Sequence, residues 1–153
     1  YRFLTRNLQT GEESVLVDTS ENFVMTVDPH RSWGQYAVYQ VDRSLYVYDL
    51  EKQAAKKLFT YEQNWDFYNY MILDGHVIAI CGTENVCRVW AIDIADEVVT
   101  ELDTRSGNVM IFSTDYECDG YFKGLLTEPS GNVEVCYISK EDFYRSNYDG
   151  AFH

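Results

Sequence analysis

The chain is poor in most of what marks an enzyme or a membrane protein. Its 153 residues include two prolines, four cysteines and three histidines. No run of 18 apolar residues occurs; the longest, residues 77–81 (VIAIC), has the length of a strand, so no membrane insertion is expected. There is no G-x-S-x-G, no cysteine set beside a plausible histidine and no phosphate-binding glycine loop, so the chain is expected to be non-catalytic. Basic residues are scarce: 12 Lys and Arg stand against 25 Asp and Glu, a formal charge of −13 that repels phosphate backbones and makes nucleic acid an unexpected partner. The acidic residues are spread out, without the block of like charges that marks a disordered tail, and so serve solubility. No leader and no initiator Met precede Tyr1, which opens onto a strand-like stretch, so the chain is expected to be a piece of a longer polypeptide.

What is plentiful is aromatic. Thirteen Tyr and 8 Phe bring the aromatic share to 16%, while long Ala/Leu/Glu/Lys runs are missing, which favours strands over helices. Residues 44–58 (SLYVYDLEKQAAKKL) show the pattern most plainly: an alternating strand, an Asp49-Leu50 corner, a polar turn and a second strand. Residues 89–102 (VWAIDIADEVVTEL) repeat it 44 residues on with Asp93-Ile94 at the corner, and another 44 residues lead to Tyr137-Ile138. Asn7-Leu8 stands 42 residues upstream of Asp49-Leu50. A period of 40 to 50 residues carrying several short strands is the mark of a propeller or a related array.

On this register the chain is all-β, with about three and a half four-stranded antiparallel blades; an antiparallel β-sandwich is the alternative. Residues 1–17 form a half blade, 18–60, 61–104 and 105–147 whole ones, and 148–153 the start of a further element. Asp74-Gly75 reads as a two-residue turn of the kind that favours positive φ, and in the last blade a turn is expected to end at Asp119-Gly120. The last blade is expected to run through strands at 108–113, 121–127, 132–138 and 142–146. Met25, Met71 and Met110 each fall in the first strand of a blade and are expected to pack in the core.

The repeat resembles β-propeller blades. The phrase SLYVYDLEKQAAKKL looks like the third-to-fourth strand corner of propellers of the dipeptidyl peptidase and prolyl oligopeptidase families. DFYRSNYDG, residues 142–150, resembles the strand ending of low-density-lipoprotein-receptor-type propellers, although the Tyr-Trp-Thr-Asp signature of that type is absent. The resemblance implies a protein-binding, ligand-binding or scaffolding module within a larger protein or assembly, partnered by another protein, by further copies or by the remaining blades. A gating propeller of a serine peptidase whose catalytic domain lies outside this chain is the second reading, and a self-assembling structural protein the third.

Candidate sites follow from this register. Loops between blades and between second and third strands are expected on one face, with Tyr61, Glu62, Trp65, Asp66 and Phe67 as an aromatic and acidic group, joined by Asp42, Arg43, Glu84 and Arg105. The alternative for Trp65 and Phe67 is core packing. Asp115, Glu117, Asp119 and Gly120 resemble the start of a calcium loop, with Lys123 and Leu126 at the ninth and twelfth places where ligands would stand; no other cofactor is indicated. His30 and His76, each two residues after an Asp, read as turn residues rather than metal ligands. Cys81 and Cys87 flank a turn and could face each other on a hairpin, and Cys118 and Cys136 share a blade. Two disulfides and an extracellular or cell-envelope location are one reading, buried thiols in a reduced protein the other. No Asn-x-Ser/Thr sequon supports secretion.

Overall fold

Strands account for nearly every regular element of the chain. The computed structural model describes residues 2–18, 23–24, 35–61, 66–83, 86–102, 109–110, 117–127 and 132–151. Two compact units, Tyr1–Gln63 and Asn64–His153, divide it, and each is taken by itself. Among the described residues every strand pairing is antiparallel.

In the first unit β1 (Arg2–Arg6) and β2 (Glu13–Asp18) form a hairpin, and β3 (Phe23–Val24), β4 (Tyr36–Val41), β5 (Ser44–Asp49) and β6 (Ala54–Thr60) form a four-stranded sheet in chain order. Tyr39 and Tyr46 are cross-strand partners whose rings stack at 5.2 Å. With Val41 and Tyr48 they build a small core against which Val17 of β2 packs, and Phe3 of β1 lies 6.4 Å from Tyr39 ring to ring. Val38, Leu45 and Val47 on the opposite face are buried too, so this sheet is covered on both sides.

In the second unit β7 (Asp66–Leu73), β8 (His76–Thr83), β9 (Val86–Asp93) and β10 (Val99–Leu102) again pair in chain order. The last sheet is built on β13 (Tyr121–Thr127), with β11 (Val109–Met110) and β12 (Glu117–Cys118) on one edge and β14 (Val133–Ser139) on the other. Asp74-Gly75 (φ 52° and 70°) and Asp119-Gly120 (φ 41° and 89°) make the turns expected of them, both residues being left-handed as a type I′ hairpin requires. Met71, Leu73, Ile78 and Ala91 from one sheet meet Phe122 and Ile138 from the other in a single core. Among the described residues no helix is long and apolar enough to cross a membrane.

The corners repeat atom by atom. Asn7 Oδ1 accepts from the N–H groups of Gln9 and Thr10 (2.9 and 3.1 Å), Asp49 Oδ1 from Glu51 and Lys52 (3.0 and 3.1 Å), and Asp93 Oδ1 from Ala95 and Asp96 (both 2.7 Å). Four residues past each acceptor the chain turns back through a left-handed residue, Gly11 (φ 75°), Gln53 (51°) or Glu97 (60°). The hairpin β1–β2 matches β5–β6 residue for residue, including the register shift between Phe3 and Leu4 that recurs between Leu45 and Tyr46.

The fourth corner falls at Ser139 and not at Tyr137-Ile138, which lie inside β14. Its place is given by the ladder: the N–H groups of Leu50, Ile94 and Lys140 donate to the equivalent carbonyls of Gln35, Gly75 and Gly120. A second correction follows from this one. Instead of a strand at 142–146 the chain forms α1 (Lys140–Tyr144), because Ser139 Oγ accepts from Asp142 N–H at 3.0 Å while donating to the Asp142 carboxylate at 2.7 Å. A 3-10 turn, Tyr148–Gly150, follows where a further element was expected to begin.

Candidate functional site

Among the described residues a group of mutually bonded charged and polar side chains lies in the second unit. The β7–β8 turn supplies Asp74, the start of β8 His76, the end of β9 Asp93, β12 Glu117, and α1 Lys140 and Tyr144. Lys140 is the hub. Its Nζ donates to Asp74 Oδ1 at 2.7 Å and also to Glu117 Oε1. Tyr144 OH donates to Asp74 Oδ2 at 3.3 Å, and its oxygen lies 3.1 Å from His76 Nδ1. The Asp74 carbonyl, 2.7 Å from the same nitrogen, can only accept, so Nδ1 carries a proton. His76 Nε2 lies 3.5 Å from Asp93 Oδ2, and the imidazole sits against the Tyr144 ring at 4.4 Å.

Helical spacing places Lys140 and Tyr144 on one face of α1, four residues apart. Phe143 is buried beside them, edge-on to Phe122 at 5.1 Å. Partial burial alone would lower the pKa of Lys140, but its hydrogen bonds to Asp74 and Glu117 and their negative charge outweigh it and hold the ammonium form above its usual range. Burial pushes the Tyr144 phenol far up, helped by the charge and hydrogen bond of Asp74 and by the charges of Glu117 and Asp93, so it stays protonated. A phenol held in that state donates a proton and does not abstract one. Among the described residues the hydrogen-bond and ion-pair partners of His76 are Asp74, Asp93 and Tyr144. Chemically, the group is a closed network between two sheets and a helix.

No protein-family model matches the chain, and no curated protein is similar to it. The reading of the site therefore rests on its own geometry.

The residues singled out in the sequence are scattered. Tyr61, expected as an exposed anchor, is instead buried at 7% exposure. Its N–H donates to the Arg43 carbonyl, and Gln40 Nε2 reaches its hydroxyl at 3.5 Å. Asp42 and Arg43 do form an exposed turn, with Asp42 left-handed (φ 49°) and its carboxylate 3.7 Å from Arg43 Nε. Asp66 opens β7 opposite Gly82. Glu62, Trp65, Glu84, Arg105, Asp115 and His30 lie outside the described residues. Of the acidic loop, Asp119 is an exposed turn residue and Glu117 is engaged by Lys140; among the described residues no group of three or more His, Cys, Asp and Glu side chains could hold a metal ion.

Cys81, Cys118 and Cys136 carry thiols and not disulfides. The register explains the first case, since it pairs Cys81 with Arg88 and Cys87 with Gly82, one place out from the facing arrangement expected. Cys118 and Cys136 stand on strands separated by β13. The Lys140 network itself escaped the sequence because its members are far apart, 66 residues between Asp74 and Lys140. One local signal was present: Ser139-x-x-Asp142 is a helix-capping pattern, and it would have put Lys140 and Tyr144 on one helix face.

Proposed function

We propose that the chain is a run of β-propeller blades serving as a non-catalytic binding or scaffolding module of a larger ring. The observation that carries this reading is the recurrence of one outer hairpin, with the same corner acceptor and the same left-handed residue, at Asn7, Asp49 and Asp93. Up-and-down sheets in chain order, packed face against face through Met71, Ile78, Phe122 and Ile138, are what blades present to their neighbours. The polar network supports a structural role for the charged residues, because Lys140 and Tyr144 donate to the carboxylates of Asp74 and Glu117 and His76 is held between Tyr144, Asp74 and Asp93. Binding then falls to the turns, of which Asp42-Arg43 is one exposed example. Electron microscopy of the full-length parent protein tests the proposal: a ring of four or more radially arranged sheets is expected, and a two-layer sandwich would overturn it.

A further inference from the structure

Three of the nine glycines follow an aspartate, in Asp74-Gly75, Asp119-Gly120 and Asp149-Gly150. Such a pair can rearrange with no reagent but water. The glycine nitrogen attacks Cγ of the protonated aspartyl side chain, forming an N–Cγ bond as the Cγ–OH bond breaks, and the hydroxyl leaves as water with the amide proton. Water then opens the five-membered imide. Cleavage of the new N–Cγ bond restores aspartate, whereas cleavage at the original main-chain carbonyl leaves the chain running through Cγ, an isoaspartyl linkage of unchanged mass. Glycine favours the attack because no Cβ shields its nitrogen.

The three pairs sit in different settings. At Asp74-Gly75 and Asp119-Gly120 the main chain is nearly the same, a left-handed pair closing a hairpin, with φ 52° and 70° in one and 41° and 89° in the other. Among the described residues nothing stands within 4 Å of where a Cβ would lie on Gly75 or Gly120. The side chains differ. Asp74 accepts from Lys140 Nζ at Oδ1 (2.7 Å) and from Tyr144 OH at Oδ2 (3.3 Å), so both oxygens of its carboxylate are held. Asp119 is exposed, and its carboxylate has no hydrogen-bond or ion-pair partner among the described residues. Asp149 is exposed too, but Gly150 N–H donates to the Asn147 carbonyl at 3.3 Å, and a Cβ on Gly150 would lie 2.7 Å from Asp142 Oδ2. An engaged amide in a crowded turn is a poor nucleophile.

We propose that Asp119-Gly120 is a modification site, where isoaspartate forms spontaneously, and that Lys140 and Tyr144 keep the matching Asp74-Gly75 turn from the same change. To react, Asp74 must first give up two hydrogen bonds, one of them to an ammonium; Asp119 gives up none. The product adds one carbon to the main chain two residues beyond Glu117, the second acceptor of Lys140, and so alters the turn that follows that carboxylate. The inference needs only the two hairpins and α1, not the blade reading.

The test incubates the whole chain at pH 7 below its melting transition, digests it, and separates isoaspartyl from aspartyl peptides by chromatography with mass spectrometry. Isoaspartate is expected at 119 about tenfold faster than at 74, the ratio that hydrogen bonds to a partly exposed charged group sustain. In concentrated urea the two rates should converge to within about threefold, since neither aspartate is then held. Tyr144→Phe keeps the ring and removes the hydroxyl, and should raise the rate at 74 about threefold; adding Lys140→Met should bring it to about that at 119. Asp119→Glu, at a left-handed position of the kind Glu97 already holds, should remove the product at 119. Equal rates at 74 and 119 in the folded chain overturn the proposal, as does a folded chain that forms no product at 119 while the urea-unfolded chain does. So does a rate at 74 unchanged in both variants when circular dichroism shows them folded. The comparison within the unmutated chain stands whether or not either variant folds.

Discussion

Replacing Asp93 separates the corner acceptor from the charge it carries. In Asp93→Ala the N–H groups of Ala95 and Asp96 lose an acceptor at 2.7 Å. Both residues are exposed, so water takes over and the loss is that of a cap, about 0.5–2 kcal/mol, and not the full desolvation of buried amides. The contact with His76 at 3.5 Å adds no more than about 1 kcal/mol, because both side chains are about a quarter exposed. The total expected is about 2 kcal/mol. Asp93→Asn keeps the acceptor, as Asn7 does at the first corner, and should cost about 0.5 kcal/mol, the share of the charge. Urea unfolding followed by circular dichroism at pH 7 measures both, with the denaturant slope unchanged if only stability has moved. If the Asn variant were as costly as the Ala variant, the charge facing His76 and not the corner would be the stabilising element. A neutral Ala variant would refute the corner argument altogether.

Three further outcomes follow from the second sheet pair and the aromatic core. Lys140→Met leaves the carboxylates of Asp74 and Glu117 facing each other at about a quarter to a third exposure and should cost about 1–3 kcal/mol; adding Glu117→Gln should recover part of it in the same urea assay. Gly150→Ala would place a Cβ 2.7 Å from Asp142 Oδ2, which is itself bonded to the helix cap, and a loss of about 1–3 kcal/mol is expected by thermal melting, against none if the turn simply opens. The Tyr39 phenol is pushed up to about 12, mainly by burial and then by Tyr46 and Tyr48. A folded pKa above the unfolded one means that stability is complete below the ordinary tyrosine range near 10 and is lost as pH rises through about 12; alkaline unfolding should therefore begin later in Tyr39→Phe, and absorbance at 295 nm reads which phenols titrate first.

The all-β character and the first corners are legible in the sequence. The Asp49-Leu50 and Asp93-Ile94 corners declare themselves because a short polar acceptor must stand where two N–H groups turn outward, and alternation marks the strands on either side. The period then misled at its last step. A strict 44-residue spacing lands on Tyr137-Ile138, whereas the steps between corners grow from 42 to 44 to 46 as the loops lengthen, and only the chemistry of Ser139 shows where the last corner lies. Tyr61 misled for another reason: an aromatic next to a loop is exposed or buried according to what its backbone is tied to, here the Arg43 carbonyl 18 residues back. The Lys140 network was hidden because its ion pairs join a helix to a turn and a strand far away in the sequence, and no local pattern encodes such a pairing.

The difference between the corners explains why the last sheet ends as it does. At Asn7, Asp49 and Asp93 one side-chain oxygen takes two consecutive N–H groups, and the chain reverses at the fourth residue through a left-handed conformation. At Ser139 the hydroxyl accepts only from Asp142 and is answered by the Asp142 carboxylate, which satisfies the first turn of a helix. The left-handed residue is thereby postponed to Ser146, seven places on, where it ends α1. In place of a strand there, Phe143 and Tyr144 pack over Phe122 and Lys140 sits between Asp74 and Glu117. Val133 and Val135 stay half exposed or more along a β14 edge that no described strand covers. At Ser139 the hydroxyl and the Asp142 carboxylate thus hold the first turn of a helix at the place where Asn7, Asp49 and Asp93 hold a turn between strands.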